Sequence, residues 1–134
     1  MAANITPFIK KWHGRTLEDA GAYVSKEYKS FQTAFINAMK KIAADLGGEV
    51  VNQSKGHYDV SGFIKVGDSY VYFNYDTSLC PGGRSHIILK DTSNCWIEPL
   101  LIRTAKNEKD YTGGTNNFAP FIDCQKYIER LLKG

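Results

Sequence analysis

Residues 57–76, HYDVSGFIKVGDSYVYFNYD, read as two β-strands joined by a two-residue turn. Aromatic and β-branched side chains fill both runs, as a pleated and half-buried surface favours. Gly67-Asp68 between them matches the tight connection that suits the right-handed twist of a hairpin. That turn sets a register: Lys65 opposite Tyr70, Phe63 opposite Tyr72, and Ser61 opposite Asn74 on one face. Ile64 with Val71 and Val60 with Tyr75 then point to the other face.

Working outward toward the N-terminus, residues 49–53 form a further strand-like run, preceded by Gly47-Gly48. Before that doublet the period changes from about 2 to about 3.6. Ala20, Tyr23, Val24, Tyr28, Phe31, Phe35, Ile36, Met39, Ile42, Ala43 and Leu46 trace one apolar stripe, predicting a long helix that starts near Leu17. Thr16 can cap its first free N–H, with Glu18 and Asp19 at the positive end of the dipole. Ser30 offers a restart, so two shorter helices are an alternative. Gly47 is a natural stop, because a left-handed residue ends many helices. Lys10, Lys11, Trp12, His13 and Arg15 make a short basic segment, and residues 1–15 are expected to be an N-terminal arm.

Toward the C-terminus, Pro81, Gly82 and Gly83 break the chain, and runs 85–91 and 95–104 read as strands around the turn residues Asp91-Thr92-Ser93-Asn94. Residues 107–117 are polar and rich in glycine. Phe118 to Lys133 regains helical spacing through Phe121, Cys124, Tyr127, Ile128 and Leu131. The order α-β-β-β-β-β-α has no βαβ alternation. It predicts one α+β domain over 1–134: a five-stranded antiparallel meander with a helical layer at each end of the chain, both covering one face of the sheet.

Composition agrees with one ordinary globular domain. Of 134 residues 43% are hydrophobic and 23% charged, so disordered, collagenous and coiled-coil classes are excluded. Seventeen Lys and Arg against fourteen Asp and Glu leave +3, which argues against imitation of a nucleic-acid backbone and permits a nucleic-acid partner without demanding one. No run of about 18 apolar residues exists and the first residues lack the apolar core of a signal peptide. The expected location is the cytoplasm, with no membrane association. Cys80, Cys95 and Cys124 are an odd number at spacings that match no paired site, and read as reduced thiols.

Cys80 with His86 six residues on would need a base within reach of the sulfur, but a turn separates them, and a loop thiol is the better reading. Cys80, His86 and Cys95 lack the closely paired ligands of zinc sites. Asp59 and Asp68 lie on or near strands, whereas the acid-x-Lys string a metal nuclease needs is Glu27-Tyr28-Lys29, in the helix. No P-loop, dinucleotide or nucleophile-elbow string is present, so neither a cofactor nor catalytic residues are expected. Gly113-Gly114 is a turn signal before it is a phosphate nest.

Two surfaces remain. Phe63, Lys65, Tyr70 and Tyr72 share one face of the hairpin, and aromatics with a cation can stack single-stranded bases and neutralise phosphates. With Lys10, Lys11 and Arg15 they define a nucleic-acid-binding alternative, although any half-buried strand also favours these residues. The other surface is the loop after residue 104, long for a compact domain and dense in charge, where Arg103, Lys106, Lys109 and Tyr111 could contact an acidic protein or an RNA backbone.

The string RTAKNEKDYTGGTNNF, residues 103–118, resembles a segment of small uncharacterised proteins carried by phages and mobile elements of Gram-positive gut bacteria. The likeness covers the last third of the chain. Small accessory proteins of that kind often antagonise host defence, and anti-CRISPR proteins are among them. The resemblance implies a non-enzymatic inhibitor that occludes a host defence protein, such as an RNA-guided nuclease or its RNA complex. It assigns no residue a role.

Overall fold

A computed structural model describes residues 5–12, 26–56, 59–76, 100–119 and 123–133. In chain order the elements are α1 (Thr6–Trp12), α2 (Lys26–Asp45), β1 (Glu49–Lys55), β2 (Asp59–Val66), β3 (Ser69–Asp76), β4 (Leu100–Ala105), β5 (Asn117–Ala119) and α3 (Cys124–Lys133). The strands form one open antiparallel sheet in the order β1-β2-β3-β4-β5. This is the α+β architecture that the change of period predicts.

The hairpin register is the expected one, with Lys65 opposite Tyr70, Phe63 opposite Tyr72 and Ser61 opposite Asn74. Gly67 takes φ +60° in the turn, a conformation that costs glycine nothing and other residues about 1–2 kcal/mol. Period-2 alternation then divides the sheet. Val60, Ile64, Val71, Phe73, Tyr75, Leu100 and Ile102 join one buried cluster with Phe8 and Trp12 of α1, Phe31, Phe35, Met39 and Ile42 of α2, and Cys124 and Ile128 of α3. All three helices therefore cover the same face, and Phe63 and Tyr72 stand on the opposite one.

The covered face is an aromatic stack. Trp12 meets Phe31 edge-on at 5.2 Å, Phe31 meets Tyr75 at 5.7 Å, and Phe35 meets Phe73 at 6.0 Å between ring centroids. Each such pair adds about 0.5–1.5 kcal/mol beyond the area it buries. Gln32, 4% exposed within this layer, donates from Nε2 to the Gly56 carbonyl at 2.9 Å, so a buried amide clamps α2 onto the β1–β2 connection.

Four expectations are revised. Residues 6–12 are not a free arm: Ile5, Phe8 and Trp12 form a short buried stripe, too brief to register as a period, which pins this helix on α2. The long helix is observed from Lys26 and runs unbroken through Ser30, so no restart occurs there. Residues 117–119, the first of them in the expected polar loop and the others in the expected terminal helix, form the strand β5, and α3 begins at Cys124 instead of Phe118. Pro120 explains that shift, since the residue before a proline is held out of the helical region and Ala119 stays extended. Of the run 95–104, residues 100–104 fall in β4, whereas 95–99, the run 85–91, the turn 91–94 and the predicted helix start at 16–25 lie outside the described residues.

Candidate protein-interaction surface

The uncovered face of the sheet is occupied by the loop that follows β4. Its folding is local and polar. Asp110 accepts backbone N–H bonds from Lys106 at 2.9 Å, Gly113 at 2.9 Å and Thr112 at 3.3 Å, while Asn107 Oδ1 accepts the N–H of Lys109 at 2.8 Å. These bonds to the charged form, that from Lys106 foremost, hold the Asp110 carboxyl below its ordinary value of 3.8. Gly114 closes the loop at φ +75°, and a Cβ there would lie 2.6 Å from the Thr104 carbonyl oxygen. Gly113-Gly114 thus serves chain geometry.

Three side chains fasten the loop to the sheet. Arg103 on β4 stands opposite Tyr72, lays its guanidinium 4.3 Å from the Tyr72 ring centroid, donates to the Tyr111 carbonyl, and donates to Asn116 Oδ1 at 3.1 Å. Tyr111 packs edge-on against Phe63 at 5.3 Å and Tyr72 at 5.8 Å. Asn52 completes the clamp. It sits at φ 50° where the β1–β2 register shifts between Val51 and Ser54, and the bulge aims its amide at the Tyr111 hydroxyl, 2.8 Å away, and at the Glu108 carbonyl. Asparagine is among the few residues that tolerate such a backbone.

The result separates the sequence candidates. Phe63 is fully buried and Tyr72 is 8% exposed, both under Tyr111 and the second also under Arg103, so neither offers a ring face to a nucleic-acid base in this arrangement. Of the stacking set only Lys65 and Tyr70 stay half-exposed, with Lys65 Nζ 5.7 Å from the Tyr70 ring. Lys10 and Lys11 are exposed on α1, far along the chain from that face, and Arg15 lies outside the described residues. Arg103 is turned inward and holds the loop. Lys106 and Lys109 are exposed on it, and Tyr111 is 47% exposed although it roofs Phe63.

Residue spacing gives no sign of two further residues of this face. Asn52 looks like an ordinary strand position until the bulge turns it. Phe118, placed by spacing in the terminal helix, pairs across β5 with Leu101 of the uncovered face and is 44% exposed. Among the described residues Tyr111 and Phe118 are the exposed large apolar side chains, and both belong to this face. The surface is therefore two aromatic rings on a fastened loop and strand, with the exposed Lys106 and Lys109 on the same loop as Tyr111.

No protein-family model matches the chain, and no curated protein or solved structure is similar to it.

The remaining candidates sit elsewhere. Cys80, His86 and Cys95 lie outside the described residues. Cys124 is fully buried, and desolvation pushes its thiol up to about 12. Asp59 and Asp68 lie on β2 and in its turn, with Glu27-Tyr28-Lys29 on α2. Among the described residues no group of three His, Cys, Asp or Glu could hold a metal ion, and no helix is long and apolar enough to cross a membrane.

Proposed function

We propose that the chain is a non-enzymatic binding protein of a phage or mobile element, which inhibits a host defence protein by covering an acidic surface on it. The observation that carries this reading is the exposure of Tyr111 and Phe118 on one face, 47% and 44%, with Lys106 and Lys109 exposed on the Tyr111 loop. Aromatic side chains dominate the centres of protein interfaces, and cations at the rim select acidic partners and speed encounter. The loop bonds to itself and to the sheet before any partner arrives, so less conformational entropy is lost on binding than for a free loop. An RNA-guided nuclease, as the resemblance of residues 103–118 implies, is the target class of choice. The excess of bases over acids favours its acidic protein surfaces or its guide RNA over mimicry of DNA.

The test replaces Lys106 and Lys109 by Glu and, separately, Phe118 by Ser, leaving Arg103 and Tyr111 to hold the loop. Both variants fold with an unchanged far-ultraviolet spectrum. The charge reversal weakens capture of the protein partner by about tenfold or more and removes its sensitivity to salt. A folded Lys106→Glu/Lys109→Glu variant that retains the partner as strongly as the parent chain overturns the assignment.

A further inference from the structure

On the helical layer, away from the surface just described, α1 and α2 diverge enough to leave an open groove of about 170 Å³. Its floor is apolar, built by Ile5, Phe8, Ala34 and Ala38, and each helix contributes one lysine to its rim, Lys11 from α1 and Lys41 from α2. Lys11 Nζ is steadied 5.5 Å from the Trp12 ring. The ion pairs of the described residues, Lys126 with Asp123 and Lys133 with Glu129, both involve α3, so among those residues neither rim lysine faces a carboxylate. A cavity of about 150 Å³ holds one benzene, which makes this groove large enough for a single branched or aromatic side chain.

We infer that this groove docks an acidic peptide segment, which seats one apolar side chain between α1 and α2 while carboxylates on either side of that residue meet Lys11 and Lys41. Charge complementarity selects the occupant: an apolar floor with one lysine on each wall, neither in an ion pair among the described residues, suits an apolar residue set among acids. A basic segment would meet like charge on both walls. A chain of nucleotides would bring phosphates, but its bases carry hydrogen-bonding edges that an apolar floor leaves unpaired. The site stands on different residues and a different layer from the Tyr111–Phe118 surface, so the two can succeed or fail separately.

The experiment titrates the isotopically labelled full chain with three synthetic peptides and follows amide shifts. One peptide carries a single Leu within Asp and Glu, the second replaces that Leu by Ala, and the third keeps the Leu within Lys. The Leu acidic peptide is expected to shift Ile5, Phe8, Lys11, Ala34, Ala38 and Lys41, and to bind about tenfold tighter than its Ala counterpart, as partial burial of a leucine side chain supplies. Lys11→Glu/Lys41→Glu weakens it by about tenfold, two attractions having become repulsions. Ala34→Trp, which fills the half-buried wall, abolishes the shifts while thermal unfolding shows a folded chain. Lys106→Glu/Lys109→Glu leaves them unchanged. Equal affinity for the Leu and Ala peptides, stronger binding of the Lys peptide, insensitivity to Lys11→Glu/Lys41→Glu, or larger shifts with decanoate or a thymidine oligonucleotide overturns the inference.

Discussion

The guanidinium of Arg103 is turned inward, over the Tyr72 ring and onto the Tyr111 carbonyl. A charged hydrogen bond contributes about 1.5–3 kcal/mol when buried and less when half-exposed, so Arg103→Ala is expected to lower unfolding free energy by about 1–2 kcal/mol in urea. Arg103→Lys recovers less than half of that, because an ammonium lacks the planar fork that serves Tyr72, Tyr111 and Asn116 together. An Arg103→Lys variant as stable as the parent chain would show that the fork is idle. Asp110 gives a prediction in pH. Its carboxyl is held below 3.8, so its contribution is fully present above that value and disappears only as pH falls through the lower folded value. Protection of the amides of residues 106–113, relative to their intrinsic exchange rates, should hold above pH 3.8 and fall only below it. Loss of protection beginning near pH 5 would mean that the bonds to Asp110 do not order the loop. Cys124, with its thiol raised to about 12, is expected to resist a thiol reagent at pH 8 in a Cys80→Ser/Cys95→Ser background until denaturant is added.

At the scale of elements, two glycines with positive φ separate two costs. Gly67 at φ +60° has nothing within 4 Å of an added Cβ, whereas at Gly114 that atom would press on the Thr104 backbone. Gly67→Ala should therefore lower stability by about 1 kcal/mol, the conformational cost alone, and Gly114→Ala by more, with faster exchange in residues 106–116. The hairpin was legible in the sequence because turn chemistry and period-2 alternation agree there: Gly67-Asp68 pins the register and Phe63, Tyr72 and Asn74 follow from it. The α2 stripe was legible for the same reason, periodicity sustained over many residues. Three features were not. The short α1 has too few residues to show a period. β5 has only three, and its one signal is Pro120 after Ala119. The bulge at Asn52 depends on what the opposite strand and the loop require, and no local preference announces it. For the site, the charged loop was legible by its length and composition. That Arg103 and Tyr111 close over Phe63 was not, because a tertiary contact between residues 63 and 111 leaves no trace in either neighbourhood.

The whole molecule is a sheet with two unlike sides. One side is sealed by α1, α2 and α3 over a shared aromatic core, and the other is covered by a polar loop that leaves Tyr111 and Phe118 outward. Rigid core beneath and fastened loop above place the exposed rings in a fixed geometry, which is what occlusion of a partner requires. The nucleic-acid alternative would need Phe63 and Tyr72 uncovered, so removal of the roof by Tyr111→Ala should raise affinity for single strands if that alternative operates at all, and leave it negligible if it does not. The most direct test of the central claim is capture of partners from bacterial lysate by the tagged chain, with and without nuclease treatment, beside its Lys106→Glu/Lys109→Glu variant. The account predicts a stoichiometric protein that survives nuclease on the parent chain and is lost from the variant. Recovery of nucleic acid alone, released by nuclease, or retention of the same protein by both chains, would contradict it.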